Sequence, residues 1–255
     1  NKIIMFKSLY SKAASSICNN NNIARIEQKI YLMFHSIEHS AFNNSIYHMD
    51  LNRFKDICKL LHDIRLKVQA EYGYSVEFVF TFDDGYHNYI ENALPVLDQY
   101  SYQSIVFVIA GNVYDQSGKY INIDDLKSLQ MHPRVKIGMH GYSHSDLSSL
   151  TKDALKEELN NIMEVCDKIN FNTNYFSLPF GRANRNVISK LVECGFIDIF
   201  TSDYGTKIYS KNGVNKYPRI DIWSNDSDDV IKQKIMKYWK LFFIIESLRS
   251  KLYRI

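Results

Sequence analysis

Short apolar runs alternate along the chain with longer stretches whose apolar residues recur at helical spacing. Such alternation predicts strands and helices in repeated βαβ units around a parallel sheet. About seven units favour a closed or nearly closed, distorted (β/α) barrel of the α/β class over an open sheet, with functional residues following the C-terminal ends of the strands. The predicted strands are residues 30–35, 76–82, 104–109, 135–139, 175–178, 197–201 and 217–222.

The intervening helices are predicted at residues 51–72, 152–169 and 186–193. Thr151 is a plausible N-cap for the second helix, and Gly195 is a natural stop after the third. The chain shows no internal repeat and no linker rich in Pro, Gly or Ser. The 255 residues are therefore expected to form a single domain, 1–255, with its core at about residues 30–222.

Composition narrows the range of partners. The net charge of +3 argues against nucleic acid as a partner. The four cysteines stand far apart, with no CxxC pair that would indicate a zinc knuckle or a redox motif. They are expected to be reduced thiols, as in a cytoplasmic protein. No run of residues is long and apolar enough for a membrane span.

The two terminal segments, at about residues 2–17 and 227–253, have a basic and amphipathic helical character. Packing of the second segment against the barrel is one interpretation. The other is peripheral contact with the inner face of the cell membrane, where a lipid-linked sugar would be the natural substrate.

The strongest chemical signal is the segment 81–85, which reads Thr-Phe-Asp-Asp-Gly at the end of a predicted strand. Neighbouring strand residues point to opposite faces. Asp83 and Asp84 therefore share a pocket only if the chain turns there, which Gly85 allows. Two carboxylates in one pocket repel each other unless a cation divides their roles between metal ligand and base. The alternative is an ordinary solvated turn.

His140 and His144 follow another predicted strand, and two imidazoles at this spacing can converge on one ion. With Asp84 they make a His-His-carboxylate set with open positions, which is typical of a catalytic divalent metal rather than a closed structural site. Zn²⁺ fits this set, and Co²⁺, Ni²⁺ and Mn²⁺ are alternatives.

A third segment, 175–181, reads Tyr-Phe-Ser-Leu-Pro-Phe-Gly at a further strand end. Pro179 and Gly181 predict a sharp loop in which the backbone N–H of Phe180 faces the pocket. Such an N–H is what an oxyanion needs, and an ordinary turn is the alternative.

In this order and spacing, the three segments resemble the leading motifs of the polysaccharide deacetylase family (the NodB-homology, carbohydrate esterase 4 type). The resemblance covers most of the chain. It implies a distorted (β/α) barrel and a metal held by Asp84, His140 and His144. It further implies that Asp83 is the general base and that Phe180 supplies a backbone donor to the oxyanion. The chain is then expected to be a metal-dependent hydrolase that removes an N-acetyl or N-formyl group from a sugar or glycan in bacterial surface-glycan biosynthesis.

Two features depart from the family pattern. Many members carry Arg before the Pro loop, where it orients the base, and this chain has Ser177 there. Arg219 resembles an Arg found in the branch that lacks the first one, and it is expected to reach Asp83; an exposed loop Arg is the alternative. The late Leu-x-His motif that supplies the acid is absent, because no His follows His144. His35, at the end of the first strand, is the candidate acid, with a structural histidine as the alternative.

Asp203, which follows the sixth predicted strand, is a further candidate for orienting a group in the pocket. The missing His also leaves open a catalytically impaired sugar- or lipid-binding protein on the same fold, whereas the complete ligand set favours the enzyme. Hydrolysis of an O-acyl ester is a third interpretation, because the oxyanion chemistry is shared.

Overall fold

A computed structural model describes residues 28–39, 45–72 and 75–235, and it confirms all seven predicted strands. In chain order the strands are β1 (Gln28–Phe34), β2 (Ser36–Glu38), β3 (His48–Asp50), β4 (Val76–Phe82), β5 (Gln103–Val108), β6 (Val135–Met139), β7 (Tyr175–Ser177), β8 (Asp198–Tyr204), β9 (Tyr209–Lys211) and β10 (Val214–Asp221). Seven of them pair in parallel in the order β1-β4-β5-β6-β7-β8-β10. Pairing of Leu32 with Ile220 joins β10 back to β1, so the sheet closes into the predicted barrel.

Helices follow most of the barrel strands and cover the outside of the sheet. The predicted helix at residues 51–72 is confirmed at the same bounds, and the other two differ by one residue at one end. The Thr151 hydroxyl accepts the Ala154 N–H at 3.2 Å and caps its helix as predicted. In chain order the α-helices are α1 (Leu51–Tyr72), α2 (Leu94–Gln99), α3 (Ile123–Gln130), α4 (Lys152–Lys168), α5 (Arg185–Glu193) and α6 (Asp228–Ile235).

Side chains alternate between the two faces of the barrel wall, as strand geometry requires. Phe78, Phe80 and Phe82 belong to the large cluster that packs the helices onto the outer face of the barrel. A separate cluster of Tyr31, Val79, Ile105, Phe107 and Phe200, with Tyr175 and Tyr217 against it, fills the barrel interior. Gly138 makes room for these rings, because an added Cβ would lie 2.6 Å from the Phe107 ring. The interior is therefore a packed core and not a channel.

An antiparallel hairpin that was not predicted precedes the last barrel strand. Val214 pairs with Lys211, so the connecting loop is Asn212-Gly213, with φ of 52° and 77°. Positive φ at both loop residues is typical of a type I′ turn, for which Asn-Gly is the strongest sequence signal. The strand predicted at residues 217–222 consequently begins at Val214.

The predicted C-terminal basic helix falls within the described residues only over α6, and the segment 2–17 lies outside them. Ile231 and Ile235 are buried in the core, which fits packing against the barrel. Lys234, one of the basic residues of the predicted segment 227–253, is 2% exposed, and its Nζ lies 2.7 Å from the Asp226 carboxylate. Its charge is therefore paired inside the fold and is not part of an exposed basic face. Across the described residues, no helix combines the length and apolar character that a membrane crossing needs.

Candidate metal centre and catalytic pocket

Polar residues gather where the barrel strands end, at the C-terminal rim. Asp83 follows β4, His140 follows β6, and Arg219 lies near the end of β10. In a parallel barrel these ends meet at one face, which is where (β/α) barrels carry their chemistry. The aromatic cluster inside the barrel lies under this face: the Arg219 guanidinium carbon is 5.7 Å from the centre of the Phe107 ring.

A backbone turn brings the two adjacent carboxylates into one pocket. Asp83 continues the inward alternation of β4, and its N–H donates to the Phe34 carbonyl at 3.0 Å. Asp84 then takes a φ of 70° and Gly85 a φ of 66°, so the chain reverses as predicted. A side chain at Gly85 would also place its Cβ 2.9 Å from Val108, so glycine is required there for both reasons.

His140 presents a defined nitrogen to this pocket. Its Nδ1 lies 2.8 Å from the Ser177 carbonyl, which can only accept a hydrogen bond, so Nδ1 carries the proton. The Nε2 atom then has no proton and carries a free lone pair. It lies 3.5 Å from Asp84 Oδ1 and 4.0 Å from Asp83 Oδ2. A lone pair that faces two carboxylates is unfavourable unless a cation lies among them.

His144 completes the set from the far end of its loop. Its φ of 60° turns the ring inward, and its Nε2 lies 3.3 Å from Asp84 Oδ1. One ligand atom each from Asp84, His140 and His144 lies within 4.8 Å of the other two. Bonds of about 2.1 Å at tetrahedral angles would separate ligand atoms by about 3.4 Å, close to the two distances to Asp84.

A second observation, a buried carboxylate oxygen without a hydrogen-bond partner, also fits a divalent cation at Asp84, His140 and His144. Asp84 Oδ1 is buried and has no hydrogen-bond partner among the described residues, which is costly for a carboxylate oxygen unless an ion satisfies it. Burial alone would raise the pKa of Asp84, but His144, His140 and His35 together hold it below its ordinary value. Burial lowers the pKa of His140 against the pull of Asp83 and Asp84. Asp84 is therefore ionised and His140 neutral at pH 7, the states that metal ligands need. The pKa of His144 is raised, chiefly by its contact with Asp84, so a cation at this site would compete with a proton there.

Arg219 binds Asp83 from inside the barrel, so the predicted contact is present. Its Nη1 and Nη2 lie 2.7 and 2.8 Å from the two Asp83 oxygens. The remaining N–H groups donate to Thr81 Oγ1 at 3.1 Å, Ser177 Oγ at 3.0 Å and the Thr201 carbonyl at 3.1 Å. All five guanidinium donors thus have acceptors, although Arg219 is only 1% exposed. Burial alone would raise the pKa of Asp83, but Arg219 and His140 hold it far below its ordinary value.

The other predicted residues lie around this centre. His35 lines a small cleft with Tyr47 and Trp223. Burial lowers its pKa even though Asp83 and Asp84 act to raise it, so His35 is neutral at pH 7. That state does not favour the predicted role as an acid, because a neutral imidazole must first gain a proton.

The Pro179 loop lies against His144. Phe180 takes a φ of 57°, and its ring centre is 4.8 Å from that of His144. Gly181 is required, because an added Cβ would lie 2.6 Å from Ser202. The oxyanion role of the Phe180 N–H stays a prediction. So does the role of Asp203, whose N–H lies 3.2 Å from Thr201 Oγ1 at the end of β8.

Comparison with known proteins shows that this chain is similar to carbohydrate deacetylases. The family described as polysaccharide deacetylase matches residues 76–197. The peptidoglycan-N-acetylmuramic acid deacetylase PdaA of Bacillus subtilis is 28% identical over 168 residues, which cover 64% of this chain and 60% of PdaA. The matched part is less than two thirds of the length of PdaA. A second relative from the same organism, the protein YxkH, is 25% identical over 119 residues, which are only 42% of its length.

Two solved structures share the fold. The Streptococcus pyogenes deacetylase PplD, in complex with acetate, gives a TM-score of 0.67 at 20% identity and covers 81% of this chain and 97% of its own. A polysaccharide deacetylase of Bacillus cereus gives 0.66 at 19% identity, over 82% of this chain and 69% of its own. The predicted barrel of this deacetylase type is confirmed.

The first prediction concerns the buried pair of Arg219 and Asp83. Arg219→Met leaves a buried carboxylate without its counter-charge, which should lower the free energy of unfolding by about 3–5 kcal/mol at pH 8. In the wild type the pKa of Asp83 is depressed, so its contribution to stability is present at both pH 8 and pH 5 and is lost only below the ordinary pKa of an aspartate. In the variant the largest opposing charge is gone, so burial raises the pKa of Asp83 and the folded variant takes up a proton as the pH falls. The stability gap between the two proteins should narrow from pH 8 to pH 5.

Urea unfolding of metal-free protein, followed by Trp fluorescence at both pH values, measures this gap. The double variant Asp83→Asn, Arg219→Met is the control: it should lose less stability than Arg219→Met, and its gap to the wild type should not narrow. Two results would contradict a buried Asp83–Arg219 pair. One is a stability difference between the wild type and Arg219→Met below about 1 kcal/mol, which is the size expected of a surface ion pair. The other is a stability difference that is equal at pH 8 and pH 5.

Proposed function

We propose that this chain, whose residues 76–197 match the polysaccharide deacetylase family, is a metal-dependent hydrolase that removes an N-acetyl or N-formyl group from a sugar. The observation that carries the proposal is the convergence of Asp84, His140 and His144 beside the ionised Asp83. One pocket then offers a cation site and a proton acceptor, the two groups that amide hydrolysis by water requires.

The chain's own residues divide the work of hydrolysis. A divalent cation held by Asp84, His140 and His144 would supply Lewis acidity, which polarises an amide carbonyl and makes water more acidic. Asp83 accepts the proton from the attacking water, and the bidentate contact with Arg219 fixes the orientation of its carboxylate. The proposed donor to the carbonyl oxygen, as that oxygen gains negative charge, is the N–H of Phe180.

The leaving amine needs a proton, and we assign the final donor to His35. Because His35 is neutral at pH 7, it must first receive a proton during the reaction. Asp83 is a suitable source: its pKa lies far below the ordinary value, so once protonated it gives the proton up readily. The two residues are neighbours at the ends of adjacent strands, since the Asp83 N–H donates at 3.0 Å to the carbonyl of Phe34, the residue directly before His35.

The substrate class follows from the family and from a relative. PdaA is a peptidoglycan-N-acetylmuramic acid deacetylase, and we propose an N-acylated sugar of a bacterial surface glycan for this chain as well. Zn²⁺ is the proposed metal, because two imidazoles and one carboxylate with open positions suit it. Contact with a membrane through the terminal segments and a cytoplasmic location both stay predictions from the sequence, since most of those segments lie outside the described residues.

Mass spectrometry of candidate substrates tests this function. The protein, loaded with Zn²⁺, is incubated with N-acetyl and N-formyl sugars, free, lipid-linked and as peptidoglycan fragments. We expect one class to lose about 42 or about 28 mass units and to gain a free amine, which a fluorogenic amine reagent detects. Asp83→Asn should reduce the rate by about 100-fold or more, because it removes the proton acceptor.

Asp153→Asn is the matched control, since Asp153 is an exposed carboxylate in the first turn of α4 and is not one of the site residues. It should retain the wild-type rate. Mass loss without a free amine would instead favour the O-acyl ester interpretation. Sugar binding without mass loss, with the metal in place, would favour a binding protein on the same fold.

A leaving-group comparison tests the role of His35. An amide substrate needs a proton on its leaving nitrogen, whereas a nitrophenyl ester leaves as a stable anion. His35→Gln should therefore slow amide hydrolysis by about 100-fold and leave ester hydrolysis nearly unchanged. Equal loss on both substrates, in a variant that still binds Zn²⁺, would contradict the assignment and make His35 a structural residue.

A further inference from the structure

Glu158 is a buried carboxylate in the middle of α4, outside the set of residues that the motifs identified. It is 7% exposed, on the helix face that carries Leu155, Leu159 and Ile162 to the core. An ionised side chain on such a face is unfavourable unless several donors satisfy it. Its partners all come from one place, the loop between His140 and His144.

Three hydrogen bonds join Glu158 to this loop. Glu158 Oε1 accepts the backbone N–H groups of Tyr142 at 2.8 Å and Ser143 at 2.9 Å. Its Oε2 accepts the hydroxyl of Ser143 at 2.9 Å. Bonds from donors to a carboxylate are among the stronger ones in proteins, and consecutive N–H groups that point at one anion form a nest.

The loop needs such an anchor, because its backbone conformation is unusual. Gly141 has a φ of 81° and His144 a φ of 60°. For His144, which has a Cβ, this left-handed conformation costs about 1 kcal/mol or more and persists only when the surroundings impose it. The loop carbonyls are held on the other side, where Gly141 and Tyr142 accept N–H groups from Ala110 and Gly111 at 2.9 and 3.0 Å.

These contacts give the loop one conformation. Strand β6 places His140, but His144 lies four residues on, where no strand or helix holds it. The Glu158 carboxylate binds the residue directly before His144, so it limits where the second imidazole can lie. A shift of that ring by about 1 Å would spoil the convergence on Asp84 that a metal requires.

We propose that Glu158 is the positioning residue for the metal centre: it preorganises His144 as a ligand without touching the metal or the substrate. The inference rests on the metal role proposed above. It concerns metal affinity and not only activity, so substrate is not needed to test it.

The experiment measures the Zn²⁺ dissociation constant of purified, metal-free protein by competition with a chromophoric chelator. Glu158→Ala should bind Zn²⁺ about 10- to 100-fold more weakly than the wild type, as is usual when a partner behind a metal ligand is removed. Glu158→Gln should largely restore affinity, because its amide oxygen still accepts both backbone N–H groups. The matched control is Glu157→Ala, an exposed Glu one residue earlier on the same helix, which should bind as the wild type does.

Ser143→Ala keeps the proposal testable if Glu158→Ala does not fold. It removes the hydroxyl bond to Glu158 Oε2, together with the exposed contact to Ser145 Oγ at 2.7 Å, and keeps both backbone N–H bonds to Oε1. It should weaken Zn²⁺ binding by a smaller factor of about 3 to 10, in line with one lost hydrogen bond to Glu158. Wild-type affinity in a folded Glu158→Ala would overturn the positioning role and leave the proposed function intact. A wild-type protein that binds no Zn²⁺ would overturn both.

Discussion

The buried ion pair between Asp83 and Arg219 is the interaction on which the site depends. Two adjacent carboxylates, Asp83 and Asp84, enter one pocket, and each needs a counter-charge there. Arg219 supplies one from within the barrel and satisfies Asp83 with two short hydrogen bonds. Asp84 keeps a buried oxygen with no hydrogen-bond partner in the described part of the chain, facing two imidazoles. The protein thus neutralises Asp83 itself and leaves the Asp84 oxygen beside two imidazoles, which supports the cation proposed for this site.

The closed barrel makes this division possible. Arg219 donates hydrogen bonds to Thr81 in β4, Ser177 in β7 and the Thr201 carbonyl in β8, so it links three strands besides its own. Aromatic residues fill the interior beneath Arg219 and exclude water. The ion pair of Arg219 with Asp83 is stronger in such surroundings, and no water competes for the charge of Arg219. The small side chain of Ser177 accepts an N–H of Arg219 at 3.0 Å, and the same Nη2 lies 2.8 Å from Asp83 Oδ2.

Much of this arrangement could be predicted from the sequence, because strand periodicity and motif spacing are local signals. The seven strands, the turn after Asp83 and the convergence of His140 and His144 are of that kind. The role of Glu158 was missed, although a charged residue on an apolar helix face is itself a signal. What it binds depends on how α4 packs on the strand ends, which no local pattern encodes. The neutral state of His35 was missed for the same reason, since burial is a property of the packed fold.

Anomalous diffraction from crystals grown with Zn²⁺, recorded on both sides of the zinc absorption edge, tests the central claim most directly. The account predicts one strong peak at the barrel rim, about 2.0–2.2 Å from an Asp84 oxygen and from the Nε2 atoms of His140 and His144. Asp83 should remain bonded to Arg219 and should not be a ligand. A peak bound by Asp83 in place of Asp84, or no peak at the rim in crystals that contain Zn²⁺, would contradict the account.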